Sequence, residues 1–349
     1  MAAAASDLPT SIGWIGLGLM GLPMATNLLK KTSEETKIYV FDVVEQAVQD
    51  FVKLNERRVE ACKSSKEVSD KSDIILSMVP EGSHVRAVYL TPETGVLESN
   101  LGSKVLIDCS TIDTGTSLAV RDACAERHPN ASFYDSPVSG GVIGAEKATL
   151  TFMLGCREGD PNIKLLMQLL GLMGGNIFPC GGASLGLTAK LCNNYTSGLI
   201  AIATAEAMNI GIASGMDPRV LANIFHTSTA QSSILDDWNP VPGLCPDAPA
   251  SKGYKGGFRV QLMKKDVGLA VDNAERLGVK LALGAEGLKL YEEASQDERC
   301  KDLDSRVVYR LLGGREDWRK DFPEEVEMKK YATRKALQIG KEQQQKESR

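Results

Sequence analysis

The sequence predicts an α/β fold: an N-terminal doubly wound parallel sheet followed by an all-α C-terminal domain, the two joined by one long helix. Three observations predict it. Up to Leu154, short β-rich runs alternate with helical runs at the spacing of a parallel sheet. From Leu185 to Ser214 the chain is rich in Ala, Leu, Ile and Met with hardly a breaker; that is a helix of roughly 30 residues, about 45 Å long. Beyond it the runs are helical. The 349 residues suffice for two domains and a large core. The expected division is a flexible N-terminus at 1–11, a sheet domain at 12–183, a helical domain at 184–314 and a charged tail at 315–349.

Ile12 to Gly16 reads as the first strand, Met20 to Lys31 as a helix, and Lys37 to Asp42 as the second strand. Further strands are expected at Asp73 to Met78, Lys104 to Asp108, Ser132 to Tyr134 and Thr149 to Leu154. Between them lie helical runs at Val44 to Asn55, Ser83 to Leu90 and Thr114 to Arg127. The long helix is apolar on more than one face, as expected of a helix buried between domains or subunits. Helices follow at Asp217 to Phe225, Gln261 to Leu277 and Leu281 to Ala294. Trp238 to Gly257, rich in Pro, Gly, Ser and Asp, reads as a loop. From Arg315 the tail is dense in charge and glutamine, either a solvated helix or disordered.

Composition narrows the function. Hydrophobic residues make up 43% and net charge is -5, so no basic stripe argues for nucleic acid. A small anion must be held by a few local groups. The eight cysteines show no CxxC spacing and there are three histidines, so no zinc-like cluster is expected. Free thiols, most of them small core residues, are the expectation. The start MAAAASDLPT lacks a basic n-region, an adequate apolar h-region and the arginines of a transit peptide. No stretch reaches the roughly 18 uninterrupted apolar residues expected of a membrane span.

The chemistry begins at Gly16-Leu17-Gly18-Leu19-Met20-Gly21, a GxGxxG motif between strand and helix. The first glycine permits the turn, the second admits a pyrophosphate to the backbone, and the third lets helix and strand pack. The diphosphate then sits at the helix's positive end. Asp42 ends the second strand about 20 residues beyond the last glycine, where an acid hydrogen-bonds a ribose 2′-hydroxyl. Its charge repels a 2′-phosphate, which favours NAD over NADP. The alternative is that Asp42 caps the helix from Val44. The motif in this context is a Rossmann-type dinucleotide site. Two later strand ends should face the same crevice: Met78-Val79-Pro80 with nearby His84, and Asp108-Cys109-Ser110-Thr111. His84 has the alternative of being a surface residue of the next helix.

Three further segments matter: Asp135-Ser136-Pro137-Val138-Ser139-Gly140-Gly141, Lys190-Leu191-Cys192-Asn193-Asn194, and Leu262-Met263-Lys264-Lys265-Asp266-Val267-Gly268. With the glycine motif they resemble the four signatures of the β-hydroxyacid dehydrogenases, from about Ile12 to Ala294. The stretches Thr204 to Asn209, Trp238 to Gly243 and Tyr254 to Phe258 are most similar to the branch that oxidises 3-hydroxyisobutyrate. The resemblance implies NAD-dependent oxidation of (S)-3-hydroxyisobutyrate to methylmalonate semialdehyde, a step of valine breakdown.

It also implies roles. Ser139, Gly140 and Gly141 would hold the substrate carboxylate through backbone N–H groups and a hydroxyl; the alternative is a plain turn. Lys190 and Asn194, spaced i, i+4, share one face of the long helix. Lys190 matches the family's catalytic lysine, which manages the alcohol proton, and Asn194 would orient substrate and lysine. Lys265 is expected by the nicotinamide, with Asp266 bonded to it or to neighbouring helices; a surface ion pair is the alternative. Phe258 would wall the pocket. Ala148 and Ser184 stand where the family pattern has glycine. Related semialdehyde and glyoxylate reductases share the motifs but favour NADP, which Asp42 opposes. A catalytically inactive nucleotide-binding relative is disfavoured by the intact Lys190. A homodimer or homotetramer is expected. Family resemblance points to the mitochondrion, although this N-terminus shows no address and would read as cytoplasmic if native.

Overall fold

The computed structural model describes residues 8–323. Two compact units emerge. The first comprises the described residues up to Asn194 together with Leu269–Lys280; the second comprises Tyr195–Gly268 and the described residues from Leu281 on.

In the first unit, β1 (Ser11–Ile15), α1 (Gly21–Lys31), β2 (Lys37–Phe41), α2 (Glu45–Val52), β3 (Val59–Ala61) and α3 (Ser65–Lys71) form one half of a sheet. Then β4 (Ile74–Ser77), α4 (Gly82–Leu90), β5 (Val105–Asp108), α5 (Thr114–Arg127) and β6 (Ser132–Asp135) form the other. The strand order is β3-β2-β1-β4-β5-β6 and every pairing is parallel. Strand order reverses between β1 and β4, the switch point where such sheets bind ligands beyond the strands' carboxyl ends. Side chains alternate between two covered faces. Ile12, Trp14, Ile38, Val40, Ile74 and Leu76 enter one core cluster, and Ile15, Ile75, Leu106 and Phe133 the other.

The sequence reading missed β3 and α3. β3 has three residues set among charges, too few for a pattern. α3 did carry a signal: Ser64 Oγ accepts from the Glu67 amide at 3.1 Å, the serine–x–x–glutamate start of a helix.

One expectation needs correction. Thr149 to Leu154 is not a further strand of the parallel sheet. β7 (Val138–Ser139), α6 (Gly141–Glu146), β8 (Leu150–Leu154), α7 (Ile163–Gly171) and β9 (Gly174–Pro179) build a separate three-stranded sheet in the order β7-β8-β9. β8 runs antiparallel to β7 and parallel to β9. The connection from β7 to β8 carries only the six-residue α6, too short for the crossover that a parallel neighbour requires.

The long helix is α8 (Leu185–Ala213). α9 (Pro218–Thr227), α10 (Ser233–Asp236), α11 (Val260–Arg276), α12 (Gly284–Gln296) and α13 (Val308–Leu311) follow. In the second unit α8 and α12 touch closely: Tyr291 Oη donates to the Gly198 carbonyl at 2.9 Å, and a Cβ on Gly287 would lie 2.5 Å from Leu199. The segment expected as a loop is irregular but packed, with Val241, Leu244, Ala248 and Tyr254 buried. The start of the tail is largely exposed but anchored at one residue. Trp318 is buried, and its indole donates to the Pro242 carbonyl at 2.8 Å under the Arg219 guanidinium. Its large apolar ring is what holds this stretch down. The tail beyond Pro323, like 1–7, lies outside the described residues.

Candidate active site

Register sets the site's floor. Ile15 pairs with Phe41 and Ser77, Ser77 with Asp108, and Asp108 with Asp135, so these strands end level. The residues that follow, Gly16, Asp42, Met78, Cys109 and Ser136, therefore share one edge.

At that edge Gly16 has φ +97°, and a Cβ there would lie 2.2 Å from the Met78 carbonyl oxygen. A Cβ on Gly21 would lie 2.0 Å from the Gly16 carbonyl oxygen. Neither position admits another residue. Gly18 differs: a Cβ there would meet nothing within 4 Å, so the space over it is open to a ligand. Leu17 is buried beneath the loop, Leu19 is exposed at its tip and Met20 is half-buried. Met20 caps α1 without a side-chain hydrogen bond, and no acid stands in the first turn. Its first amides thus suit a diphosphate. The residues present fit a dinucleotide.

Asp42 does two things. One carboxylate oxygen accepts from the Leu17 amide at 2.6 Å and the other from the Val44 amide at 2.7 Å. It caps the chain entering α2 and also ties the glycine loop to β2. Each oxygen keeps a second lone pair, which leaves acceptors for ribose hydroxyls. A cleft lined by Leu17, Gly18, Leu19, Asp42, Val142 and Glu146 runs beside it.

Val79 and Pro80 leave β4 at the same edge, Val79 half-buried and Pro80 exposed. The Val79 amide donates to Ser110 Oγ at 2.9 Å, and Ser110 Oγ donates to Asp108 at 2.6 Å. Ser77 Oγ bonds the same Asp108 oxygen, and Tyr89 Oη in turn. Burial pushes the Asp108 carboxyl up to about 6, against the pull of these hydroxyls. Thr111 follows, half-buried. His84 is exposed in the first turn of α4.

Ser139 ends β7 and is half-buried; Gly140 (φ +132°) and Gly141 (φ +61°) turn the chain into α6 and are exposed. Ala148 and Ser184, the departures from the glycine pattern, also adopt positive φ, +52° and +64°. They keep the backbone shape without the residue that reaches it freely.

The start of α8 is clamped by Asp135. Its two oxygens accept from the Ser184 amide at 2.6 Å and the Leu187 amide at 2.8 Å. This is a helix cap supplied by a strand end, with negative charge at the helix's positive pole. Burial outweighs those amides and raises the carboxyl's pKa. Gly155 and Gly186 make room: a Cβ on Gly155 would lie 1.9 Å from Asp135 Oδ1, and one on Gly186 2.8 Å from Oδ2. One turn after Leu187 stands Lys190, 7% exposed. Its Nζ donates to Asn194 Oδ1 at 3.2 Å, as the i, i+4 spacing predicts, and Asn193 Nδ2 donates to the same oxygen at 3.1 Å. Lys190 and Asn194 are both buried.

The second unit carries Phe258, Lys265 and Asp266. Phe258 is half-buried, and its amide donates to Asp304 Oδ2 at 2.8 Å. Gly257 (φ +68°) precedes it, where a Cβ would lie 2.1 Å from the same carboxylate oxygen. On α11, Lys265 Nζ lies 3.3 Å from Asp266 Oδ1; the aspartate is 2% exposed and the lysine 23%, so this is not a surface pair.

Four residues that the sequence reading gave no role of their own support these segments: Asp108, Ser110, Asp135 and Asp304. A signal existed for two of them. Asp108 and Asp135 each close a β-rich run, where a buried acid needs donors that only a turn or helix start provides.

Two family models match. Residues 11–182 match the NAD binding domain of 6-phosphogluconate dehydrogenase, and residues 184–312 match the NAD-binding domain of NADP-dependent 3-hydroxyisobutyrate dehydrogenase. The chain is 42% identical over 86% of its length to a probable mitochondrial 3-hydroxyisobutyrate dehydrogenase of Dictyostelium discoideum, covering 90% of that protein. It is 39% identical over 80% of its length to an NAD-dependent L-serine dehydrogenase of Pseudomonas aeruginosa, again covering 90%. The solved 3-hydroxyisobutyrate dehydrogenase of Mycobacterium tuberculosis with L-serine superposes with a TM-score of 0.80 at 32% identity, over 87% of this chain and 99% of that one. With this identity over most of its length and both family models matched end to end, the chain belongs to the 3-hydroxyisobutyrate dehydrogenase family of NAD-dependent oxidoreductases.

Proposed function

We propose that the chain oxidises (S)-3-hydroxyisobutyrate to methylmalonate semialdehyde with NAD, a step of valine breakdown. One observation carries the reading. A buried lysine, bonded to Asn194, stands in the first turns of a helix clamped by Asp135 at the sheet edge that also carries the glycine loop.

The glycine loop from Gly16 to Gly21 and Asp42 would hold NAD, which would supply the hydride acceptor for the carbinol carbon. Ser139 and the Gly140 and Gly141 amides hold the carboxylate, which fixes how far the alcohol reaches. Lys190 takes up the alcohol proton as a neutral amine and becomes the ammonium that offsets negative charge developing on the oxygen. Asn194 Oδ1 accepts from the lysine nitrogen and holds it in one orientation. Lys265, Asp266 and Phe258 keep the cofactor and substrate roles that the family resemblance implies for them. Asp42 accepts from the ribose hydroxyls and repels a 2′-phosphate, so NAD is preferred over NADP.

Lys190→Ala tests this directly. Turnover should fall by about 10²–10⁴-fold while NADH affinity, read by fluorescence titration, stays. Near-wild-type turnover overturns the mechanism. A second substrate reading rests on the relatives named for L-serine or solved with it. L-serine shares the carboxylate and the primary alcohol, and differs in carrying an ammonium at C2. Comparing kcat/KM for both acids with both nucleotides decides between them; a higher value with L-serine reverses the assignment.

The assembly we propose is a homodimer or homotetramer, supported by exposed Ile210, Val220 and Ile224 on the second unit. An active monomer in light scattering refutes it. The mitochondrial location we propose rests on the name of the Dictyostelium relative.

A further inference from the structure

Asn27 lies on α1, the helix whose start receives the diphosphate, yet its side chain serves another element. It is 8% exposed. Its Nδ2 donates to the Ala145 carbonyl at 2.7 Å and approaches the Glu146 carbonyl at 3.3 Å and the Pro23 carbonyl at 3.1 Å. Ala145 and Glu146 are the last residues of α6, and carbonyls at a helix end have no partner within the helix. A primary amide has two N–H groups. One goes to α6, and Pro23, on α1's own backbone, orients the other.

α6 starts at the Ser139–Gly141 turn and is six residues long. A helix so short has no independent stability and takes its position from what holds its ends. Strand β7 holds the start, paired to β8. Asn27 holds the finish.

We propose that Asn27 is a positioning residue that locks the carboxylate-binding turn to the dinucleotide-binding helix. The two anion sites thereby keep a fixed separation, which hydride transfer between a short acid and the nicotinamide requires. This rests on the carboxylate docking at Ser139–Gly141 as described above.

Asn27→Asp is isosteric and replaces both donors with acceptors facing carbonyl oxygens. The KM for 3-hydroxyisobutyrate should rise about tenfold, the equivalent of one lost charge-free hydrogen bond, and kcat should fall by about tenfold as the separation loosens, whereas NADH affinity stays unchanged. Asn27→Ser, which keeps one donor in a smaller side chain, guards against misfolding of the first variant and should raise KM less. Wild-type KM in both variants overturns the proposal. So does a parallel loss of kcat, KM and NADH affinity with a lowered Tm, which marks a general packing role. Ser139→Ala is run alongside. If it leaves KM unchanged, the docking reading fails and the inference falls with it. If it raises KM and the Asn27 variants do not, the Asn27 inference alone fails.

Discussion

The glycine loop at Gly16–Gly21 and the stretch from Ser139 to Ser184 both turn the backbone through positive φ, but they tolerate side chains differently. In the first, the forbidden positions are set by contact: a Cβ on Gly16 or Gly21 would sit within 2.2 Å of a carbonyl oxygen in the neighbouring strand end or loop. In the second, Ala148 and Ser184 hold left-handed conformations while carrying side chains. Dihedral strain alone costs about 1–2 kcal/mol and can be borne. A backbone collision has no such remedy, because the clashing atom belongs to the fold. Glycine is therefore required where two pieces of backbone meet and optional where only φ is unusual.

The sharpest way to break this contrast is Gly21→Ala. It should lower stability by more than about 3 kcal/mol and weaken NADH binding at least tenfold, read by urea denaturation and fluorescence titration. A variant with wild-type stability would show that α1 can shift away from β1.

The next effect concerns the buried acids beneath the two regions. Asp108 has its carboxyl raised from 3.8 to about 6 by burial. Its contribution to stability is fully present below about pH 4 and is lost as pH rises through about 6, by roughly 3 kcal/mol. In Asp108→Asn that slope disappears. The stability difference, wild type minus variant, should fall between pH 4 and 6.5; a flat difference would mean that Asp108 titrates at its ordinary value.

Asp135 sharpens the comparison from the other side. Asp135→Asn turns one acceptor into a donor facing a helix amide and should cost about 2 kcal/mol. Because Lys190 stands one turn beyond Leu187, kcat should fall as well, by about tenfold. Unchanged kcat would detach the clamp from catalysis. The smallest effect is a gain: Ala148→Gly relieves the dihedral strain but adds unfolded-state freedom, for a net stabilisation of about 0.5–1 kcal/mol. A loss of stability would show that the alanine methyl packs usefully and that strain is not the main cost there.

The parts of this protein legible in its residues were those whose cause is local. The Thr114–Arg127 helix was read to the residue, and its start has a local cause: Asp113 caps it, accepting from the Thr116 amide at 2.6 Å. The glycine loop and the i, i+4 pairing of Lys190 with Asn194 follow from spacing alone. Only the tertiary structure decided that β8 leaves the main sheet, that Asp135 caps a helix 50 positions downstream, that Asp108 holds the Val79 loop through Ser110, and that Trp318 pins the start of the tail. Each depends on a partner far away in sequence. A short-range pattern records the preference of a segment for helix or strand, but which distant donor meets a buried carboxylate is settled when the chain packs and every polar group must find its match.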